Sequence, residues 1–191
     1  MFILKKNYFL IIENTKDINL NDIKLYKKFN IIYRNNNKKE NFNKLLEFRS
    51  KCKPKKIKFF ISNNLKLMTD TNADGLYVSS YNHNLNLNRL KKTKYEVIGS
   101  AHNIKEINIK ILQGCTSILF SRLFKTIYNN KKSYLGIVKF NLFKLNRSED
   151  LVPLGGIRMA NLNKLNFINC SSLAILSEVK KKPAKIFSRL F

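Results

Sequence analysis

Short apolar runs alternate along the chain with longer segments whose apolar residues recur every three or four positions. The first run, residues 8–12 (YFLII), precedes a segment in which Leu20, Ile23 and Tyr26 lie at roughly helical spacing. Runs rich in Ile, Phe, Val and Tyr are typical of strands, and a spacing of three or four residues is typical of amphipathic helices. The pattern therefore predicts a strand followed by a helix.

This strand-then-helix order repeats along the chain. The predicted strands cover residues 8–12, 30–34, 56–62, 75–80, 95–101, 117–124, 151–156 and 172–178. The helical segments predicted after them cover residues 19–29, 41–52, 63–68, 84–92, 103–114, 134–145, 161–168 and 183–191. Several strands are apolar almost throughout, as expected of a parallel sheet with both faces buried. The pattern predicts an α/β chain folded as a compact (β/α)8 TIM barrel, with a doubly wound open sheet as the alternative.

No linker or internal boundary interrupts this order, so we expect a single barrel domain over residues 1–191. In such a barrel, binding groups lie in the loops that follow the strands. Gly155 and Gly156 follow the seventh predicted strand, and glycine amides can approach an anion closely at positive φ. A helix predicted from about Asn161 adds free N–H groups, and Ser177 ends the neighbouring strand. The pattern favours a phosphate site, with a plain tight turn as the alternative.

The chain is strongly basic. Lys and Arg number 37 against 12 Asp and Glu, a formal net charge of +25. Such a charge attracts nucleic acids and anionic membranes. The lysines are scattered through nearly every segment and form no single basic block, however, and Lys, Asn and Ile share AT-rich codons. We therefore expect no dedicated nucleic-acid binding, and keep a nucleic-acid partner as the alternative.

The cysteines and the amino-terminal segment bear on the cellular location of the protein. Cys52, Cys115 and Cys170 lie far apart, without CxxC spacing, so free thiols in a reducing compartment are expected. The apolar start MFILKKNYFLII is broken by Lys5 and Lys6 and is much shorter than the roughly 20 residues of a membrane span. These features predict a cytoplasmic protein with no membrane partner.

Six motifs, in order, resemble the thiamine-phosphate synthase / thiazole tautomerase (TenI-like) family. They are ADGLYVSS (73–80), VIGSAHNIKEI (97–107), ILFSRLFKT (118–126), LGIVKF (135–140), VPLGGI (152–157) and LAILSEV (173–179). No single motif is decisive, but together they extend the resemblance over about residues 55–180. The resemblance implies the same barrel, a role in thiamine biosynthesis and a small phosphorylated heterocycle as ligand.

The synthase of this family joins an aminopyrimidine pyrophosphate to a thiazole phosphate and releases pyrophosphate with help from Mg²⁺. The resemblance carries two groups of binding residues over to this chain. The implied thiazole-phosphate residues are Thr126, Gly155, Gly156, Leu176 and Ser177, and the implied pyrimidine-pyrophosphate residues are Arg34 and Ser100.

The implied metal site departs from the family pattern. The two aspartates that hold Mg²⁺ in the family fall on Asn63 and Asn82 here. Two neutral amides lack the charge that draws a hard divalent cation, so we expect Mg²⁺ binding to be weak or lost. The family's Gln and Lys beside the pyrophosphate fall on Ile32 and Asn36.

The basic residues of the implied site are also displaced. Where the family has a lysine soon after Thr126, this chain has Asn129. A fixed cation can stabilise a leaving anion, and one hypothesis is that other lysines screen the pyrophosphate in place of Mg²⁺. The candidates are Lys38, Lys39, Lys131 and Lys132.

This chain also lacks the catalytic pattern of the tautomerase branch of the family. Its proton-shuttling His falls on Arg122, and an arginine stays protonated and cannot act as a general base. We interpret His102 as a structural histidine, and Tyr77, where the family has a His, as a residue that fills the barrel.

The sequence therefore favours a divergent member of the family that binds thiazole phosphate or thiamine phosphate at the loops after strands seven and eight. Two alternatives remain open. One is an active transferase that makes thiamine phosphate, and the other is a non-catalytic basic barrel that binds nucleic acid or another phosphorylated partner.

Overall fold

Eight parallel strands close into a barrel in the computed structural model, which describes residues 5–23, 27–35, 41–126, 133–145 and 147–176. The strands are β1 (Asn7–Ile12), β2 (Phe29–Tyr33), β3 (Lys58–Ser62), β4 (Gly75–Val78), β5 (Glu96–Ala101), β6 (Ser117–Ser121), β7 (Asp150–Leu154) and β8 (Ser172–Ile175). They pair in chain order, and β8 closes on β1 through the pair Asn7 and Ser172. The predicted (β/α)8 barrel is confirmed, and the open-sheet alternative is wrong.

In the described part of the chain, four α-helices cover the outside of the barrel. They are α1 (Phe42–Cys52), α2 (Leu65–Asp70), α3 (Ile104–Leu112) and α4 (Gly136–Leu145). Gly114, with φ of 85°, follows the end of α3 in the left-handed conformation that commonly ends helices. The predicted last helix, residues 183–191, lies outside the described residues.

Three predicted helices are instead 3-10 helices or turns. The described part of the first contains only Leu20–Asp22, and the others are Leu85–Lys92 and Met159–Phe167. The Asn84 side chain caps the segment after β4 by accepting a hydrogen bond from the Asn86 amide. The predicted sixth strand was also too long, since β6 ends at Ser121.

The barrel interior is filled by side chains from alternate positions of the strands. Its buried members are Phe9, Ile11, Ile32, Phe60, Tyr77, Ile98, Leu119, Val152, Leu154 and Ala174. The opposite strand faces pack against the outer helices in a second, larger cluster. Because both faces are buried, the strands read as continuous apolar runs in the sequence.

All three thiols are free, and Cys52 and Cys115 are buried. Burial raises the pKa of the Cys52 and Cys115 thiols to about 12 and that of Cys170 to about 11. The folded protein therefore keeps these thiols protonated at pH values where an unfolded chain has lost the protons.

The free energy of unfolding should accordingly fall as pH rises above the ordinary thiol value of 9.0. We expect a loss of about 1 kcal/mol per thiol between pH 8 and pH 10, because the unfolded chain releases protons that the folded chain retains. Urea denaturation under reducing conditions at both pH values measures the loss. Cys115→Ala should show a smaller decline with pH than the wild type, and an equal decline would contradict the assignment.

Candidate functional site

The residues that follow the strands meet at one end of the barrel, its carboxyl-terminal mouth. Parallel strands that pair in chain order bring all eight strand ends to this mouth. The candidate residues that the structure describes there are Arg34, Asn63, Asn82, Ser100, Thr126, Gly155, Gly156 and Leu176.

Tyr77 connects the two residues assigned to the pyrimidine pyrophosphate. Its side chain points into the barrel, and its hydroxyl group lies near the side chains of Ser100 and Arg34. Burial raises the pKa of the Tyr77 hydroxyl, and the interactions with Ser100 and Arg34 oppose this rise. The polar side chains at the ends of β2, β4 and β5 therefore form one network at this mouth.

The guanidinium group of Arg34 has spare hydrogen-bonding capacity. Its Nη2 lies 3.9 Å from Oε1 of Glu13. Its buried Nε has no hydrogen-bond partner among the described residues. A buried N–H group without an acceptor is costly, so this arginine presents a donor that an anion could satisfy.

Replacing Tyr77 by phenylalanine removes the hydroxyl group that lies near Ser100 and Arg34. We expect the free energy of unfolding to fall by about 1 kcal/mol, because the buried Ser100 loses a polar partner. Urea denaturation measures the change. Tyr81→Phe is the matched control, since Tyr81 is 74% exposed. Equal stability of the two variants would show that the network contributes nothing.

Asn63 and Asn82, at the positions implied for metal ligands, bind each other directly. Nδ2 of Asn82 donates to Oδ1 of Asn63 at 3.2 Å, and the same oxygen accepts from the Ser79 amide at 3.1 Å. Oδ1 of Asn82 accepts from the Asn84 amide at 3.0 Å. Both amide oxygens are thus already engaged, and neither carries a charge.

A buried lysine fixes the main chain of this loop. Lys110 of α3 is fully buried, and its Nζ donates to the Asn82 carbonyl at 2.7 Å and to Oε1 of Gln113 at 2.8 Å. Burial lowers the pKa of the Lys110 ammonium group. Gly99 leaves room for this side chain, since an added Cβ would lie 2.8 Å from Lys110 Cδ.

The loop after β7 is built on its glycine pair. Gly155 and Gly156 have φ values of 96° and 69°, a conformation that strongly favours glycine. An added Cβ at Gly156 would lie 2.5 Å from the Phe124 carbonyl oxygen, so this loop packs tightly against the segment after β6. Nδ2 of Asn161 donates to the Gly156 carbonyl at 2.8 Å and holds the turn in place.

Arg122 lies beside this turn. An added Cβ at Gly155 would lie 3.2 Å from Arg122 Cγ, and Nη1 of Arg122 donates to Oγ1 of Thr126 at 3.4 Å. A guanidinium group, a hydroxyl group and two glycines therefore come together. Nδ1 of His102 lies 2.8 Å from Oγ of Ser121.

Leu176 lies next to the glycine turn, because Leu154 of β7 pairs with Ala174 of β8. It is partly buried and packs against the interior cluster. Ser177, the other residue predicted on this strand, lies outside the described residues. So do Asn36, Lys38, Lys39, Asn129, Lys131 and Lys132.

Three residues near the site are not predicted to belong to it. The sequence indicates Tyr77 only as a residue that fills the barrel and Arg122 only as a lost proton shuttle, and Lys110 lies within a predicted helix with no assigned role. The position of Arg122 directly after β6 was a usable signal, since strand ends form the site. Nothing in the sequence pattern indicates that Lys110 is buried.

Neither a metal cluster nor a membrane-spanning helix occurs among the described residues. No three His, Cys, Asp or Glu side chains in that part of the chain come together as a metal cluster. None of its helices has the length and apolar character needed to cross a membrane.

Comparison with protein families gives one match over most of the chain. The family described as thiamine monophosphate synthase (TMP-TENI) matches residues 24–179. The thiamine-phosphate synthase of Pelagibacter ubique (strain HTCC1062) is 28% identical over 201 residues, which cover 97% of this chain and 96% of that protein.

Other similar proteins are longer or more distant in sequence. The thiamine-phosphate synthase of Prochlorococcus marinus (strain AS9601) is 25% identical over 183 residues, covering 93% of this chain. The chain spans only 39–52% of the three Prochlorococcus marinus synthases that it matches. A solved thiamine phosphate pyrophosphorylase from Pyrococcus furiosus shares the fold, with a TM-score of 0.70, 14% identity and 97% coverage of both chains.

Proposed function

The chain belongs to the thiamine monophosphate synthase family, and from this premise we propose that it acts in thiamine biosynthesis by binding a phosphorylated thiazole or thiamine phosphate. The single observation that carries the proposal is the glycine turn of Gly155 and Gly156 beside Arg122 and Thr126. Glycines at positive φ let main-chain amides approach an ester phosphate, and the guanidinium and hydroxyl groups supply charge and donors.

The other half of the mouth is suited to a second anion. The buried Nε of Arg34 lacks an acceptor among the described residues, and both Arg34 and Ser100 lie near the Tyr77 hydroxyl group. We assign the pyrophosphate of an aminopyrimidine, or the pyrimidine side of thiamine phosphate, to this region. Ser100 and the Tyr77 hydroxyl would orient the ring, while Arg34 would stabilise negative charge.

Mg²⁺ does not fit the residues present. The amide oxygens of Asn63 and Asn82 accept hydrogen bonds, one of them from the other residue of the pair, and neither provides a carboxylate. Hard divalent cations prefer charged oxygen ligands. We therefore propose that ligand binding at this mouth does not depend on Mg²⁺.

The coupling reaction and ligand binding are tested separately. Purified protein is incubated with aminopyrimidine pyrophosphate and thiazole phosphate, with and without Mg²⁺, and thiamine phosphate is measured. Calorimetry with thiazole phosphate alone tests binding, and we expect saturable binding that EDTA leaves unchanged. The absence of binding to thiazole phosphate and to thiamine phosphate would overturn the proposal, and product formed only with Mg²⁺ would overturn its metal-independent part.

The nucleic-acid alternative is tested with the same protein. It rests on the net charge of +25. Attraction of this kind weakens steeply with salt. RNA binding that persists at moderate salt and depends on RNA sequence would support that alternative.

A further inference from the structure

The opposite end of the barrel, its amino-terminal mouth, contains a cavity of about 300 Å³. The cavity lies where the strands begin, and residues such as Asn7, Lys58 and Ser172 line it. Its volume is at the lower end of the range for small-molecule sites. None of the residues assigned to the phosphate site at the other mouth lines it.

The charges around this cavity are divided between two sides. Lys27, Lys56 and Lys58 lie at the beginnings of β2 and β3, whereas Glu96 and Asp150 lie at the beginnings of β5 and β7. Nζ of Lys58 donates to Oε2 of Glu96 at 2.6 Å, so these two charges compensate each other. The remaining lysines and the remaining carboxylate therefore face each other across the barrel.

Two of the lysines hold an unfavourable backbone conformation. Lys27 has φ of 71° and Lys56 has φ of 53°, in the left-handed region that glycine or asparagine occupies at lower cost. Both residues line the cavity, and neither forms an ion pair with any described residue. Both are exposed, so an anion at the cavity can reach their ammonium groups.

The opposite wall offers hydrogen-bond acceptors. Oδ2 of Asp150 accepts from Oγ of Ser117 at 3.1 Å, and Ser172 lies beside them. The buried rings of Phe9 and Phe60 form the floor between the two sides. A ligand that fills the cavity would meet ammonium groups at one end and a carboxylate with hydroxyl groups at the other.

We propose that the amino-terminal mouth binds a small organic phosphate that also carries an amine or hydroxyl donor. Its phosphate lies between Lys27 and Lys56, because lysine ammonium groups bind phosphate as point charges. Its donor faces Asp150 and Ser117. This second site goes beyond the proposed function and does not depend on it.

Phosphoethanolamine is the probe, with inorganic phosphate and ethanolamine as comparison ligands. Calorimetry measures affinity, and amide chemical shifts in labelled protein locate the site. We expect phosphoethanolamine to bind more tightly than either comparison ligand and to shift the amides of Lys58, Ser117 and Ser172. Lys56→Glu should weaken binding about tenfold, since it reverses a charge at the phosphate. Lys53→Glu, in the same turn but outside the cavity, should change affinity less than twofold.

Lys56→Gly is a second test variant that removes the charge without disturbing the fold, because glycine adopts the left-handed backbone freely. It should remain folded and lose affinity about tenfold. Equal weakening by Lys53→Glu and Lys56→Glu would overturn the proposal in favour of general charge attraction. Shifts confined to residues 155–157, or the absence of saturable binding, would overturn it as well.

Discussion

Replacing Gly156 by aspartate is expected to lower the affinity for thiazole phosphate by about 100-fold or more. An added Cβ would lie 2.5 Å from the Phe124 carbonyl oxygen and 2.8 Å from that of Lys125. Both are main-chain atoms of the segment that leads to Thr126, so this segment must move away from the turn. The new carboxylate would also repel the ester phosphate, since like charges at close range are strongly unfavourable at a poorly solvated site. Calorimetry measures the loss.

Gly156→Ala separates the shape of the turn from the charge. We expect it to weaken binding less than aspartate does, because it displaces the Thr126 segment without adding a negative charge. Gly136→Ala is the matched control. Gly136 also has positive φ, 72°, but no atom lies within 4 Å of an added Cβ. It should lose about 1 kcal/mol of stability from backbone strain and keep its affinity. Unchanged affinity in Gly156→Asp would remove the phosphate site from this loop.

The barrel could be predicted because its determinants are local. Buried parallel strands are continuous apolar runs, and glycine marks places such as Gly114 and the pair at 155–156 where the backbone turns left-handed. The positions after the strands followed from the topology of the barrel alone. The predicted α-helices after β1, β4 and β7 were wrong because apolar spacing alone does not distinguish a regular α-helix from a 3-10 helix.

The contacts inside the site depend on distances between strands that are remote in the sequence. The inward direction of Tyr77 follows from strand alternation, but its contact with Arg34 requires the register across β3. Lys110 resembles a surface lysine on an amphipathic helix, and only the missing side chain of Gly99 makes room for it. The cavity at the amino-terminal mouth likewise depends on the closure of the barrel.

The double variant Asn63→Asp/Asn82→Asp is expected to show the second large effect, a dependence of pyrophosphate affinity on Mg²⁺. In the wild type, the affinity for pyrophosphate should be the same with Mg²⁺ and with EDTA. In the double variant, Mg²⁺ should raise it about 30-fold, because two carboxylates supply the charge that a hard cation requires. The local fold tolerates the change: Asn63 has φ of 53°, which aspartate also adopts, and the oxygens still accept from the Ser79 and Asn84 amides.

Without metal, the two new carboxylates would repel each other where Nδ2 of Asn82 now donates to Oδ1 of Asn63. The double variant should therefore be about 1–2 kcal/mol less stable in EDTA than the wild type and regain this stability with Mg²⁺. Thermal unfolding with and without Mg²⁺ measures the recovery. The single variant Asn63→Asp is the control, because the Asn82 amide can still donate to the new carboxylate. The assignment of Asn63 and Asn82 as a lost metal site would be contradicted if the wild type bound pyrophosphate only with Mg²⁺. The hydrogen bond between the two amides would then have to break for a cation to bind.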